Sequence, residues 1–148
     1  MKAALAATAL LLAAACSDAS GPAGTMRMRT DRSIYVLSGG EPEATVGFTV
    51  RNTTPGPITL VACSGGVDTE AQRRDADQWV PWTTNGGCPA SLDPPPQVVL
   101  APGETAAGQV VLDKDGRYRL HTYVRVAESA QFSESAYSPE FEVRSFGF

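Results

Sequence analysis

Apolar residues recur at every second position, in short runs, from Met26 to the end of the chain. Alternation of this kind is typical of half-buried β-strands, and no stretch of the chain keeps the period of about 3.6 residues that an amphipathic helix needs. In the clearest run, residues 44–51, the four alternate residues from Ala44 to Val50 are predicted to face a core. Gly, Pro, Asn and Asp separate the runs and predict turns. The pattern therefore predicts an all-β domain.

The runs predict about seven to nine antiparallel strands. Turn signals every 8–12 residues or so are what an immunoglobulin-like β-sandwich requires. The predicted strands are 26–30 with its continuation 34–37, then 44–51, 58–62, 69–74, 78–82, 98–100, 105–112, 117–127 and 141–144. Residues 83–96 hold four prolines and are predicted to form a long irregular connection.

The sequence predicts a structural role for one residue of the long strand 117–127 and an orientation for another. Tyr118 follows a turn at the start of the second-last strand, where a tyrosine corner lies in such sandwiches; the alternative is an ordinary inward-facing tyrosine. His121 has the opposite phase, so it is predicted to point outward, with no partner evident from the sequence.

The first 25 residues contain no strand pattern and look like an export signal. Lys2 precedes an apolar run that ends on three alanines before Cys16, and the run is shorter than the ~20 residues that span a bilayer. Residues 12–16 resemble the lipobox of bacterial lipoproteins, although Ala13 stands where that motif usually has Leu. The alternative is a secreted protein with a cysteine near the cut by chance. We predict a signal peptide at 1–15, a flexible tether at 16–25 and one domain at 26–148.

The predicted lipobox implies a location and a means of attachment. Acylation of Cys16 is expected to anchor the mature protein in the bacterial cell envelope. Ser17 follows instead of Asp, and by resemblance to the sorting rule of enteric bacteria this favours the outer membrane. The face of the membrane stays open.

The net charge of the chain limits the classes of binding partner that we expect. Cleavage after residue 15 removes Lys2 and no acidic residue, which leaves the mature chain one unit more negative than the full chain, whose formal net charge is −4. An acidic domain with scattered charges is not typical of proteins that bind nucleic acid or anionic lipid. We expect a monomer whose partner is another envelope or extracellular protein.

Two cysteines remain once Cys16 is acylated. Cys63 and Cys88 are an even pair in an exported, oxidising setting, which favours a disulfide. Closing a loop of about 26 residues would contribute roughly 3–4 kcal/mol. The alternative, a redox or metal-binding thiol pair, usually has close spacing or nearby histidines, and the chain has neither.

Several motifs resemble the immunoglobulin-like domains of the bacterial intracellular proteinase inhibitor family. The first half of the resemblance is carried by Tyr35, Gly39-Gly40-Glu41, the run Thr45 to Thr54 and Pro57 to Leu60. The second half is carried by the turn Leu100-Ala101-Pro102-Gly103-Glu104-Thr105 and the strand start Gly116-Arg117-Tyr118. The resemblance covers about residues 33–143 and implies a β-sandwich and protease inhibition. No residue of this chain matches an inhibitory position, and the lipobox and the Cys63 to Cys88 segment depart from the family.

The sequence favours binding over chemistry. His121 is the only histidine, no serine lies in a Gly-x-Ser-x-Gly elbow and no acidic pair stands out, so we predict no enzyme, no catalytic residue and no cofactor. A copper site built from Met26, Met28 and His121 is a remote alternative, since core packing is the ordinary role of methionine.

Two functions remain: an interaction module, and as runner-up a protease inhibitor acting through a rigid loop. Both would use loops beside the cysteine pair. The candidate residues are Ser64, Gly65, Gly66, Val67, Thr83, Thr84, Asn85, Gly86 and Gly87.

Overall fold

The computed structural model describes residues 26–37, 43–63, 66–84, 93–126 and 134–145, with the backbone alone described at 83–84. These ranges contain strands and turns and no helix. The strands are β1 (Met26–Thr30), β2 (Ile34–Leu37), β3 (Ala44–Asn52), β4 (Ile58–Cys63), β5 (Gly66–Val67), β6 (Glu70–Asp75), β7 (Gln78–Thr84), β8 (Gln97–Leu100), β9 (Thr105–Leu112), β10 (Gly116–Val126), β11 (Glu134–Tyr137) and β12 (Phe141–Ser145).

The strands form two sheets around one core. The smaller sheet has the order β1–β3–β9. In the larger sheet β10 is central, with β4 and β6 along one edge and β11 and β12 along the other. Beyond these strands, β8 pairs with β4, β7 pairs with β6, and β2 pairs with β12. This is the strand order of an immunoglobulin-like sandwich with additional strands at the edges of the larger sheet.

Alternation along β3 and β10 builds the core between the sheets. Every second residue of β3 is buried, and Val46 and Val50 have no exposed surface. Tyr118, Leu120 and Val124 of β10 face them from the other sheet. Full burial of one such aliphatic side chain contributes about 1.5–3 kcal/mol, so these two strands are a main source of stability. The prediction of an all-β sandwich is confirmed.

The described residues contain twelve strands, more than the predicted seven to nine, because β2 is a strand of its own rather than a continuation of β1, and because β5 and β11 are additional. Three positions of the larger sheet are each filled by two strands: β4 with β6, β7 with β8, and β12 with β11. Neither β5 nor β11 was predicted. Residues 83–84 continue β7, although the sequence predicted an irregular connection from residue 83.

One pair of described strands, β2 and β12, is parallel, whereas the other described pairs are antiparallel. β1 lies in the smaller sheet and β2 in the larger, so the chain crosses between sheets at residues 31–33. It therefore reaches β12 running in the same direction, with Tyr35 opposite Val143.

A buried amide ties the two turns at one end of the sandwich. Asn52 has no exposed surface, and its Nδ2 donates hydrogen bonds to the carbonyl oxygens of Gly56 at 2.8 Å and Leu100 at 2.9 Å. Its Oδ1 accepts hydrogen bonds from the backbone N and the hydroxyl of Thr54, at 2.9 and 2.8 Å. The side chain thus joins the β3–β4 turn to the end of β8, with both of its polar atoms satisfied.

Candidate interaction site

Five side chains stack in series on the outer face of the larger sheet, the face turned away from the core. The guanidinium of Arg119 lies 4.6 Å from the ring centre of Trp79 and 4.2 Å from that of Tyr137. The ring of His121 is stacked on Tyr137 at 4.7 Å and meets Tyr123 edge-on at 4.6 Å. Cation–π and aromatic contacts of this geometry are attractive. We call this set the aromatic ladder: Trp79, Arg119, Tyr137, His121 and Tyr123.

Strand register places the members of the ladder together. Arg119, His121 and Tyr123 alternate along β10, so they share one face. Tyr137 of β11 lies directly opposite His121 across one edge of β10. Trp79 lies on β7, and β6 lies between β7 and β10. Within β6, Gln72 lies opposite Arg119.

Two polar residues of β6 hold the ladder from the other edge of β10. Arg119 Nε donates a hydrogen bond to Gln72 Oε1 at 2.8 Å, and Gln72 Nε2 donates to Glu70 Oε1 at 2.7 Å. The same Glu70 oxygen lies 3.7 Å from His121 Nδ1, which is too long for a hydrogen bond. Because Arg119 is bonded as well as stacked, its orientation is fixed before any partner arrives.

His121 has the outward phase that the sequence predicted, and its ring contacts Tyr123 and Tyr137, which the sequence did not indicate. Its neighbours on the outer face leave it 4% exposed. Both ring nitrogens lack a hydrogen-bond partner among the described residues. Burial lowers the pKa of His121 below its ordinary value; the charge of Glu70 raises it and that of Arg119 lowers it further. The imidazole is therefore held neutral near pH 7.

We expect acid to destabilise the fold through His121. The unfolded chain takes up a proton near pH 6.5, the ordinary pKa of histidine, whereas the folded state does so only at lower pH. The contribution of neutral His121 to the free energy of unfolding is thus fully present above pH 6.5. It is lost as the pH falls from there through the folded-state pKa. Since His121 is the only histidine, urea titrations at pH 7.5 and 5.5 report mainly on it.

The control for this experiment is His121→Phe. Phenylalanine keeps the ring between Tyr123 and Tyr137 and removes the titrating nitrogens. We expect this variant to be at least as stable as wild type at pH 7.5 and to lose less stability at pH 5.5. Equal losses in both proteins would contradict the assignment.

Solvent reaches two rings of the aromatic ladder. Tyr123 is 58% exposed and Tyr137 is 37% exposed. Val99 of β8 and Ile34 and Val36 of β2, on the same sheet, are also exposed. Tyrosine, tryptophan and arginine are the residue types that dominate binding energy in protein interfaces, and here they are rigidly supported.

The described residues contain no group of three or more His, Cys, Asp or Glu side chains able to hold a metal ion. The remote copper set is not brought together. Met28 lies in the core between the sheets and Met26 packs against it, whereas His121 lies on the outer face of the larger sheet. The sheet itself separates the thioethers from the imidazole.

The loop residues nominated from the sequence are placed only in part. Val67 is 1% exposed and belongs to the core, so the prediction that it contacts a partner was wrong. It is buried because β5 folds back on β4, with Gly66 opposite Cys63. Thr83 and Thr84 belong to β7 rather than to a loop. Residues Ser64, Gly65, Asn85, Gly86 and Gly87 lie outside the described residues.

Of the other residues that the sequence singled out, some lie within the described residues and some lie outside them. The hydroxyl of Tyr118 donates a hydrogen bond to the carbonyl oxygen of Lys114 at 2.8 Å, which is the bond that defines a tyrosine corner. Cys63 is buried at the end of β4. Cys16 and Cys88 lie outside the described residues, so the acylation and the pairing stay predictions. No helix able to cross a membrane occurs in the described ranges.

No protein family and no curated protein matches the chain. Solved structures similar to it include the Pseudomonas fluorescens alkylpurine DNA glycosylase AlkC bound to DNA, 13% identical with a TM-score of 0.40, covering 84% of this chain and 32% of that chain. A β-glucosidase from Listeria innocua is 13% identical with a TM-score of 0.42, covering 82% of this chain and 16% of that one. The chain thus spans less than a third of either protein, and TM-scores this low carry no argument about function. The resemblance to the proteinase inhibitor family stays a prediction.

Proposed function

We propose that the chain is a lipid-anchored envelope protein whose sandwich is a non-enzymatic binding domain, with the aromatic ladder at the centre of its binding surface. The observation that carries the proposal is the exposure of Tyr123 and Tyr137 within a stack that Arg119 and Gln72 hold in place. Rings that are already ordered lose little side-chain entropy when a partner covers them. A solvent-exposed stack of this kind is suited to binding the surface of another protein.

Site-specific photo-crosslinking in the native envelope tests the binding surface. A benzophenone amino acid at Tyr123 is expected to crosslink to one partner protein. The matched control is the same amino acid at Val111, which is 48% exposed on the smaller sheet, and it is expected to give no such product. Crosslinking at Val111 and none at Tyr123 would contradict the proposed surface.

The lipid anchor is tested by Cys16→Ala. We expect wild type to partition with the membrane and the variant to lose this partitioning, because two or three acyl chains anchor stably where one short chain is marginal. Detergent partitioning and the intact mass of the mature protein measure the effect. The double variant Cys63→Ala, Cys88→Ala keeps Cys16 and should stay with the membrane. A Cys16→Ala protein that fractionates like wild type would contradict the anchor.

A further inference from the structure

Positive charge is concentrated on the outer face of the larger sheet. The outward side chains of β2, β4, β6 to β8 and β10 to β12 include five arginines and two glutamates, although the chain as a whole has a formal net charge of −4. The charged residues of this face are Arg74, Arg117, Arg119, Arg125, Arg144, Glu70 and Glu142. The turns of the described chain are acidic instead, as at Asp31, Asp77, Glu104, Asp113 and Asp115.

The arginines are interspersed with aromatic rings. Along β10 the outward residues are Arg117, Arg119, His121, Tyr123 and Arg125, and neighbours in this series are about 7 Å apart. Arg117, which lies opposite Glu142 of β12, and Arg125, whose Nη2 donates a hydrogen bond to Gln97 Oε1 at 2.6 Å, therefore bracket the aromatic ladder. A complementary surface has separate carboxylates on either side of an apolar or aromatic group.

The acidic residues of the outer face argue against a dense polyanion as its binding partner. Glu70 contacts the ladder through His121 and Gln72, and Glu142 bonds Arg144 at 2.7 Å. A polyphosphate chain or an anionic bilayer would bring negative charge against both glutamates. Arginine instead pairs with individual carboxylates through two parallel hydrogen bonds, which favours a protein partner.

We infer that the outer face of the larger sheet binds an acidic protein segment, whose carboxylates pair with Arg117 and Arg125 while an apolar or aromatic side chain covers Tyr123 and Tyr137. This inference rests on the proposed function, since it names the chemistry of the partner at the same surface. Opposite charge on the two surfaces would also speed the association at low salt.

The test compares two variants with the same change in charge. Arg117→Gln with Arg125→Gln alters the outer face of the larger sheet, whereas Arg27→Gln with Arg51→Gln alters the outer face of the smaller sheet, where both arginines are exposed. The probe is a fluorescently labelled random copolymer of glutamate and tyrosine, and its anisotropy measures binding. We expect the first variant to weaken binding at least tenfold and the second less than threefold. Thermal unfolding verifies that both variants are folded.

Two further probes separate the possible anions. Polyphosphate and vesicles containing phosphatidylglycerol are expected to bind at least tenfold more weakly than the copolymer. The inference is overturned if the two variants weaken copolymer binding equally, or if either phosphate probe binds more tightly than the copolymer. If Tyr123 still crosslinks to a partner that is insensitive to Arg117→Gln with Arg125→Gln, the acidic chemistry is wrong while the proposed surface stands.

Discussion

Replacing Asn52 with alanine is expected to lower the free energy of unfolding by about 3–4 kcal/mol. The substitution removes four hydrogen bonds and leaves buried groups of Thr54, Gly56 and Leu100 without the amide. A net hydrogen bond contributes about 0.5–1.5 kcal/mol, and a buried polar group left without a partner costs more. Urea unfolding at neutral pH measures the loss.

Two matched variants separate the roles of the amide. Asn52→Asp keeps the acceptor for Thr54 but turns a carboxylate oxygen toward the carbonyl oxygens of Gly56 and Leu100, so we expect it to be at least as damaging as alanine at pH 7. Lowering the pH should recover part of this loss, because a protonated carboxyl can donate one bond. Thr54→Val removes only a hydroxyl and should cost about 1 kcal/mol. An Asn52→Asp protein as stable as wild type would contradict the donor assignment.

The sequence predicted the turn at Asn52 but not the hydrogen bond that makes this residue important. Asn followed by Thr-Thr-Pro predicts a turn from local chemistry alone. The bond to Leu100 joins residues 48 apart in the chain, and its acceptor is a backbone carbonyl that has no residue signature. Local pattern therefore predicted the shape of the turn and missed the contact that ties it to β8.

At the candidate site, His121 likewise shows that a local pattern predicts the orientation of a residue but not its long-range contacts. Alternation along β10 correctly placed it on the outer face, but alternation says nothing about what covers that face. The cover includes Tyr137, which lies on β11, a four-residue strand that the pattern did not predict. Arg119 and Trp79 likewise stand far apart in the sequence and meet only through the register of β6, β7 and β10. The aromatic ladder could have been suspected from outward aromatic and arginine residues on neighbouring strands.

The loops that the sequence favoured illustrate the opposite error. Gly-rich segments beside a cysteine suggested exposed loops, yet Val67 lies in the core because β5 returns along β4. Asp68 N donates a hydrogen bond to the Val61 carbonyl oxygen at 2.8 Å, which holds this return in place. Turn composition predicted where the chain leaves the strand but not where it goes next.

Replacing Gly108 with alanine is expected to destabilise the domain by about 2–3 kcal/mol, the upper part of the range for overpacked cores. Gly108 lies opposite Phe48 in the smaller sheet, and a Cβ atom added there would lie 2.4 Å from Phe48 Cζ. The Phe48 ring is 3% exposed within the core, so it cannot move away without displacing its neighbours. Glycine in a strand interior is normally unfavourable by about 0.5–1 kcal/mol, so the expected sign is opposite to that of propensity alone.

The control lies on the neighbouring strand β3, where Gly47→Ala would place its Cβ 3.3 Å from the carboxylate carbon of Asp31, an exposed side chain that accepts a hydrogen bond from the Tyr35 hydroxyl. We expect this variant to stay within about 0.5 kcal/mol of wild type. Combining Gly108→Ala with Phe48→Leu should cost less than the sum of the two single changes, because the smaller side chain removes the clash. Additive costs, or a Gly108→Ala protein as stable as wild type, would mean that ring contact is not the reason for glycine at this position.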